Sequence, residues 1–190
     1  VNLIVGIFSQ FDLDAPSQDL INSDFVIGSQ VSAGRGRLAA RLRLLHQSSH
    51  LGDEFVLRNP HIVRDEFGFQ AIDGLVSYDA DLWRVYGGGG YLFFIHDDLD
   101  PWAVQGGAEA RNRRAARGTF HPVAAVDFNS LQSRNWGVTA SAAAGVAWAS
   151  PTSTRQFRAL LVALRGHMPF GQFSRTQKLG NVGVQFQFEF

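Results

Sequence analysis

The sequence of 190 residues has no cysteine, a single methionine and one lysine, Lys178. Without cysteine there is no disulfide framework, no thiolate metal site and no cysteine nucleophile. An excess of either charge is also missing, since 17 basic residues balance 17 acidic ones. A neutral chain lacks the basic footprint of a nucleic-acid binder, so no nucleic-acid partner is expected. No apolar run approaches the roughly 18 residues of a transmembrane helix. Helical spacing is scarce throughout. Glycine (20) and phenylalanine (16) are plentiful in a chain that is 45% hydrophobic, which is too apolar and aromatic for disorder. The length suits one domain, residues 1–190. The chain opens at Val1 with neither initiator methionine nor signal sequence, and so reads as mature or trimmed.

Alternation with period two runs almost from end to end. In the last segment Val182, Val184, Phe186, Phe188 and Phe190 take one face, and Asn181, Gly183, Gln185, Gln187 and Glu189 the other. Trp136, Val138, Ala140, Ala142, Ala144, Val146 and Trp148 form a second stripe with tryptophan at both ends. The same template gives about ten strands, near 2–14, 23–35, 37–49, 68–80, 82–95, 102–113, 120–130, 136–149, 155–168 and 178–190. Most exceed the roughly five or six residues of an ordinary strand and match the about 9–11 needed to cross a bilayer at a tilt. On the opposite parity stand Arg41, Arg43, Asp73, Arg84, Glu109, Arg111 and Asp127. In a barrel these point inward and pair across an occluded lumen, because an outward Arg at mid-bilayer costs about 2–4 kcal/mol. A soluble sandwich or lipocalin, the competing reading, would hide its apolar stripes inside. The expected fold is all-β, an antiparallel transmembrane β-barrel of about ten strands. A wide porin, with about 16–18 strands, is excluded. Between Gln156 and Arg165 both parities are apolar, and Leu160, Val162 and Leu164 are assigned outward.

Connections alternate between short and long, which orients the barrel with its short turns periplasmic. Glycines 87–90 lack the Lys-Ser/Thr and helix of a phosphate loop and fit close packing or curvature instead. His96, Asp97, Asp98 and Asp100 form an acidic outer loop able to attract Ca²⁺, the one candidate cofactor. Arg111, Arg113, Arg114 and Arg117 gather at a periplasmic end, within reach of phosphate headgroups.

The terminal Phe190, preceded by alternating apolar residues, resembles the carboxyl-terminal assembly signal of bacterial outer-membrane barrels. The stretch His46-Gln47-Ser48-Ser49-His50-Leu51-Gly52-Asp53-Glu54 and the stretch Pro169-Phe170-Gly171-Gln172-Phe173 resemble an outer-membrane family, domain of unknown function 1207. The resemblance implies a bacterial outer-membrane location and supplies no activity. Members are longer at the amino end, which implies one or two further strands and a count of up to 12.

His46 and Ser48 continue the outward parity of Leu42 and Leu44, at the outer-leaflet end of the third strand. Residues two apart on a strand lie about 6.6–6.8 Å apart, a gap that side chains can close to a base–nucleophile hydrogen bond. The arrangement resembles the outer-membrane phospholipase A and lipid A deacylase families, which carry His-x-Ser on the outer wall. By that resemblance Ser48 attacks an acyl ester, His46 takes its proton, and Glu54 or Asn59 orients the imidazole. Outer-membrane lipids are then the partners. A metal reading joins His46 and His50 with Asp53 and Glu54. The readings from other classes are a structural anchor, a narrow channel, a homo-oligomer or a subunit of an envelope complex.

Overall fold

The computed structural model describes residues 1–65, 67–94, 99–112, 116–169 and 171–190. Ten strands follow in order: β1 (Asn2–Phe11), β2 (Leu20–Arg35), β3 (Leu38–Leu51), β4 (Gly68–Ala80), β5 (Trp83–Phe94), β6 (Trp102–Ala110), β7 (Phe120–Leu131), β8 (Val138–Ala149), β9 (Gln156–His167) and β10 (Lys178–Glu189). All are antiparallel members of one sheet, each paired with its sequence neighbours. The sheet curls far enough for residues of β3 through β9 to line one cavity. Among the described residues no ladder joins the edges β1 and β10. The fold is thus the expected all-β, barrel-type antiparallel sheet, and no described helix is long and apolar enough to cross a membrane.

The hairpins follow from local chemistry. Gly36 turns β2 into β3 at φ 63°, where the left-handed backbone favours a residue without Cβ. At the other end of the strands the longer connections carry a short helix, α1 (Asp53–Arg58), and 3-10 turns at Gln132–Arg134 and Gln172–Arg175. We refer to the two ends as the turn end and the loop end.

The convex face is apolar and bare across the strand centres, with Arg165 on it toward the loop end of β9. Leu3 is 75% exposed and Val182 71%, and Ile27, Leu44, Val76, Phe128 and Phe186 are exposed with them. The described apolar residues that are buried come to four: Phe67, Leu92, Ala147 and Leu160. That distribution inverts the one a soluble sandwich requires.

The concave face holds the charges in cross-strand groups. Asp73 accepts from Arg41 Nη2 at 2.8 Å and from Arg43 Nε at 2.7 Å. Arg84 pairs with Glu109 directly opposite in the register, and Arg111 reaches both Asp79 and Glu109. Tyr86 donates to Asp127 at 2.6 Å, passing over Gly107 of the intervening strand. A Cβ at Gly107 would stand 2.4 Å from the Tyr86 hydroxyl, so this crossing depends on glycine. In the glycine run of β5, a Cβ at Gly88 would stand 2.0 Å from the carbonyl oxygen of Gly74. Close strand approach, not phosphate binding, accounts for that glycine.

The outward assignment of Leu160, Val162 and Leu164 is corrected. Leu160 and Leu164 line concave cavities, whereas Leu161 is 59% exposed. The register explains the swap: Leu161 stands between Ala144 and Val184, and Phe157 beside Phe188, both on the outward stripes. Arg158 then falls inward, on Gln187 and Glu189, and its pairing sets the parity of a strand that hydrophobicity alone leaves undecided.

Candidate functional site

His46 and Ser48 lie on the convex face of β3. His46 stands between Ile27 and Gln70, and Ser48 between Phe25 and Gly68. Both side chains are half-buried, and among the described residues neither makes a hydrogen bond, to the other or elsewhere. Glu54 is exposed in the first turn of α1. Asn59, at the end of that helix, donates its amide to the Phe55 carbonyl at 2.8 Å. The strand thus brings His46 and Ser48 onto one wall, but no hydrogen bond links them to Glu54 or Asn59. A nucleophile and base in working contact stand about 2.6–3.2 Å apart. The ladders to β2 and β4 also engage the backbone around Ser48, where an oxyanion would need free N–H groups.

Among the described residues no three His, Asp or Glu side chains gather as metal ligands. Asp53 pairs with Arg64, and the His50 ring packs 5.9 Å from that of Phe25, which separates the metal set read from the sequence. His96, Asp97 and Asp98 of the suggested Ca²⁺ loop lie outside the described residues, as do Arg113 and Arg114 of the basic cluster.

The densest polar constellation sits on the opposite face of the same strands. Asn22 and Asp24 of β2 are fully buried. Asp24 accepts from Asn22 Nδ2 at 2.8 Å, Gln47 Nε2 at 2.7 Å and the Gly171 backbone N–H at 3.1 Å. Ser49 Oγ donates to Asn22 Oδ1 at 2.8 Å. Gly171 has φ 70°, and a Cβ there would lie 2.5 Å from Asn22 Oδ1, so glycine is required twice over.

Around this centre the loops are tied together. Gln172 accepts from Asp65 N at 2.9 Å and donates to the Val63 carbonyl at 3.0 Å. Arg175 pairs with Asp65 at 2.9 Å, and Phe173 meets Phe55 edge-on at 6.3 Å. Arg58 pairs with the buried Asp19 at 2.6 Å. The two stretches singled out in the sequence therefore touch, through Gln47 and Ser49 on one side and Gly171 on the other, with Asp24 as the hub. Parity alone held a clue: Gln47 and Ser49 alternate with His46 and Ser48 and must face inward.

Two cavities open on the concave face. One of about 330 Å³ lies toward the loop end, and one of about 630 Å³, lined by Arg84, Arg111, Arg158 and His121, toward the turn end. Arg134 lines the first and, among the described residues, its side chain has neither ion pair nor hydrogen bond. Burial lowers its pKa from the ordinary 12.5 to about 10.

The model of a family described as protein of unknown function (DUF1207) matches residues 1–190. No curated protein and no solved structure matches the chain.

Proposed function

We propose that this chain, which belongs to the DUF1207 family over residues 1–190, forms the wall of a barrel in a Gram-negative outer membrane and works through its inner face. The observation that carries this reading is the division of the sheet. Charged groups of the strand centres turn inward and pair, while the convex face is apolar and bare, as a bilayer requires. Outer-membrane lipids are the partners of that face. Loops tied around Asp24 close the loop end, and the ionic groups fill the middle, so the interior suits solute binding or a narrow passage better than open flow. The unjoined edges β1 and β10 leave backbone groups for a strand partner, a second copy included.

The test places a single cysteine at Ile27, on the convex face, or at Gln105, on the concave one. Each carries a fluorophore in protein refolded into vesicles containing brominated lipid. Quenching at position 27 and not at 105 is expected. Equal quenching, or none at 27, would sink the bilayer reading.

A second reading, a lipid-acting serine esterase, is favoured by the shared outward face of His46 and Ser48 at the loop end. Lipid contact would have to draw the imidazole onto the hydroxyl and bring Glu54 or Asn59 to its other nitrogen. Acyl release from phospholipid or lipid A in mixed micelles, lost in both Ser48→Ala and His46→Ala, would establish it. No release from folded protein, with or without Ca²⁺, would remove it.

A further inference from the structure

We infer that the loop-end cavity of the concave face binds an organic monocarboxylate with an apolar body, held by Arg134 and Ser174. The inference extends the inner-face reading to a ligand class, yet it rests on the cavity itself and not on where the protein resides.

Four observations converge. Arg134 presents a planar guanidinium with five donors to the cavity and, among the described residues, nothing accepts from it. A cation half-screened from water on a concave wall, without an anion, is costly, and a carboxylate would satisfy it through two parallel hydrogen bonds. Ser174, also on the cavity wall, is 1% exposed and its Oγ has no partner. That is a buried hydroxyl ready to donate to the second edge of the same anion. Asn129 lines the same wall.

Charge balance on the wall then fixes the number of anionic groups. Asp73 is matched by Arg41 and Arg43, Arg175 by Asp65, and Asp127 takes the Tyr86 hydroxyl and the Gln105 amide. Arg41, Arg43, Arg134 and Arg175 thus stand against Asp65, Asp73 and Asp127, an excess of one cation, and Arg134 is the one that no carboxylate among the described residues touches. A dianion such as phosphate would bring a second charge toward Asp127 with nothing to meet it.

The remaining wall decides what the carboxylate is attached to. Phe67, Phe69 and Phe94 form an aromatic cluster with ring centres 5.9 to 6.5 Å apart, and Leu92 lies buried beside them. This surface rewards an apolar ring or short chain and offers a sugar few partners. At about 330 Å³ the space lies at the small end of ligand pockets, about 300–1,000 Å³, so a single-ring body fits the class.

Refolded protein in micelles, titrated calorimetrically with benzoate, benzamide and inorganic phosphate, tests this. Benzoate is expected to bind at one site, with the neutral benzamide and phosphate each weaker by about tenfold or more. Arg134→Gln should weaken benzoate by about tenfold or more, and Ser174→Ala by a few-fold. Arg134→Gln removes an unmatched, half-buried charge, so it should keep its β-sheet circular dichroism. Arg134→Lys, which keeps the charge and loses the fork, should fall between the two. Equal binding of benzoate and benzamide would overturn the proposal. So would phosphate binding tighter than benzoate, no benzoate binding tighter than about 1 mM, or benzoate binding unchanged in both Arg134→Gln and Ser174→Ala. Each of these outcomes is read from the cavity and leaves the lipid-quenching result untouched.

Discussion

Replacing Asp24 separates two things that its carboxylate does at once: accept three hydrogen bonds and carry a charge. In Asp24→Ala the donors Asn22 Nδ2, Gln47 Nε2 and Gly171 N lose their acceptor together. A stranded buried donor costs about 1–3 kcal/mol. Gln47 is half-buried and can turn to water in the cavity, so the count is two firmly stranded donors and a loss of about 2–6 kcal/mol. In Asp24→Asn the new oxygen keeps Gln47 and Gly171, while the new NH₂ faces Asn22. A flip of the Asn22 amide resolves that clash, because its own NH₂ then meets Ser49 Oγ, a hydroxyl that accepts as readily as it donates. The substitution also removes a buried negative charge that has no ion-pair partner among the described residues. Asp24→Asn should therefore stay within about 1 kcal/mol of the parent. Urea titration of refolded protein, followed by tryptophan fluorescence, gives both values, and proteolysis of the 169–177 segment reports whether the loop has come loose. An equal loss in both variants would mean that the charge itself holds the loops, and the hydrogen-bond account would be wrong.

Leu161→Arg puts a charge on the convex face near the middle of β9 and should cost about 2–4 kcal/mol of folding into vesicles. A folded fraction equal to the parent's would take the odd residues of β9 out of lipid. Gly107→Ala sets a methyl 2.4 Å from the Tyr86 hydroxyl and 2.5 Å from the Val126 carbonyl. It should lower the unfolding free energy read from a urea titration by about 1–3 kcal/mol, more than Tyr86→Phe does; a silent Gly107→Ala would refute the crossing of Tyr86 over β6. Arg134 gives a pH signature with a definite sign. Its folded pKa, about 10, lies below the ordinary 12.5, so between those values the unfolded chain binds more protons. Taken as the difference between the parent and Arg134→Gln, in which the other titrating groups cancel, stability should then rise with pH across that window. A falling difference would mean that the guanidinium has found an anion in the fold.

The strands were legible because a sheet with unlike faces writes itself into sequence with period two, and a one-residue slip would turn every side chain to the wrong solvent. That is why Val182 to Phe190, and Arg41 and Arg43 opposite Leu42 and Leu44, were read correctly from residues alone. β9 escaped the same logic. Its Leu160, Leu161, Val162 and Leu164 satisfy either face, and what decides is Arg158 meeting Gln187 and Glu189 on a strand about thirty residues away. The loop-end cluster was illegible for a related reason. Asn22, Asp24, Gln47, Ser49 and Gly171 span nearly the whole chain, and only the curl of the sheet brings the segment after β9 back over β2. His46 and Ser48 stand out by residue chemistry, which a sequence displays openly. The burial of Asp24 and Ser174, and the place of Arg134 on the concave wall, are properties of the curled sheet and have no local signature. Where the two disagree, burial is the stronger guide to function. A half-buried polar pair at a strand end can still reach water, whereas an unmatched guanidinium and a buried idle hydroxyl on the concave face are sustained at a loss unless something binds them.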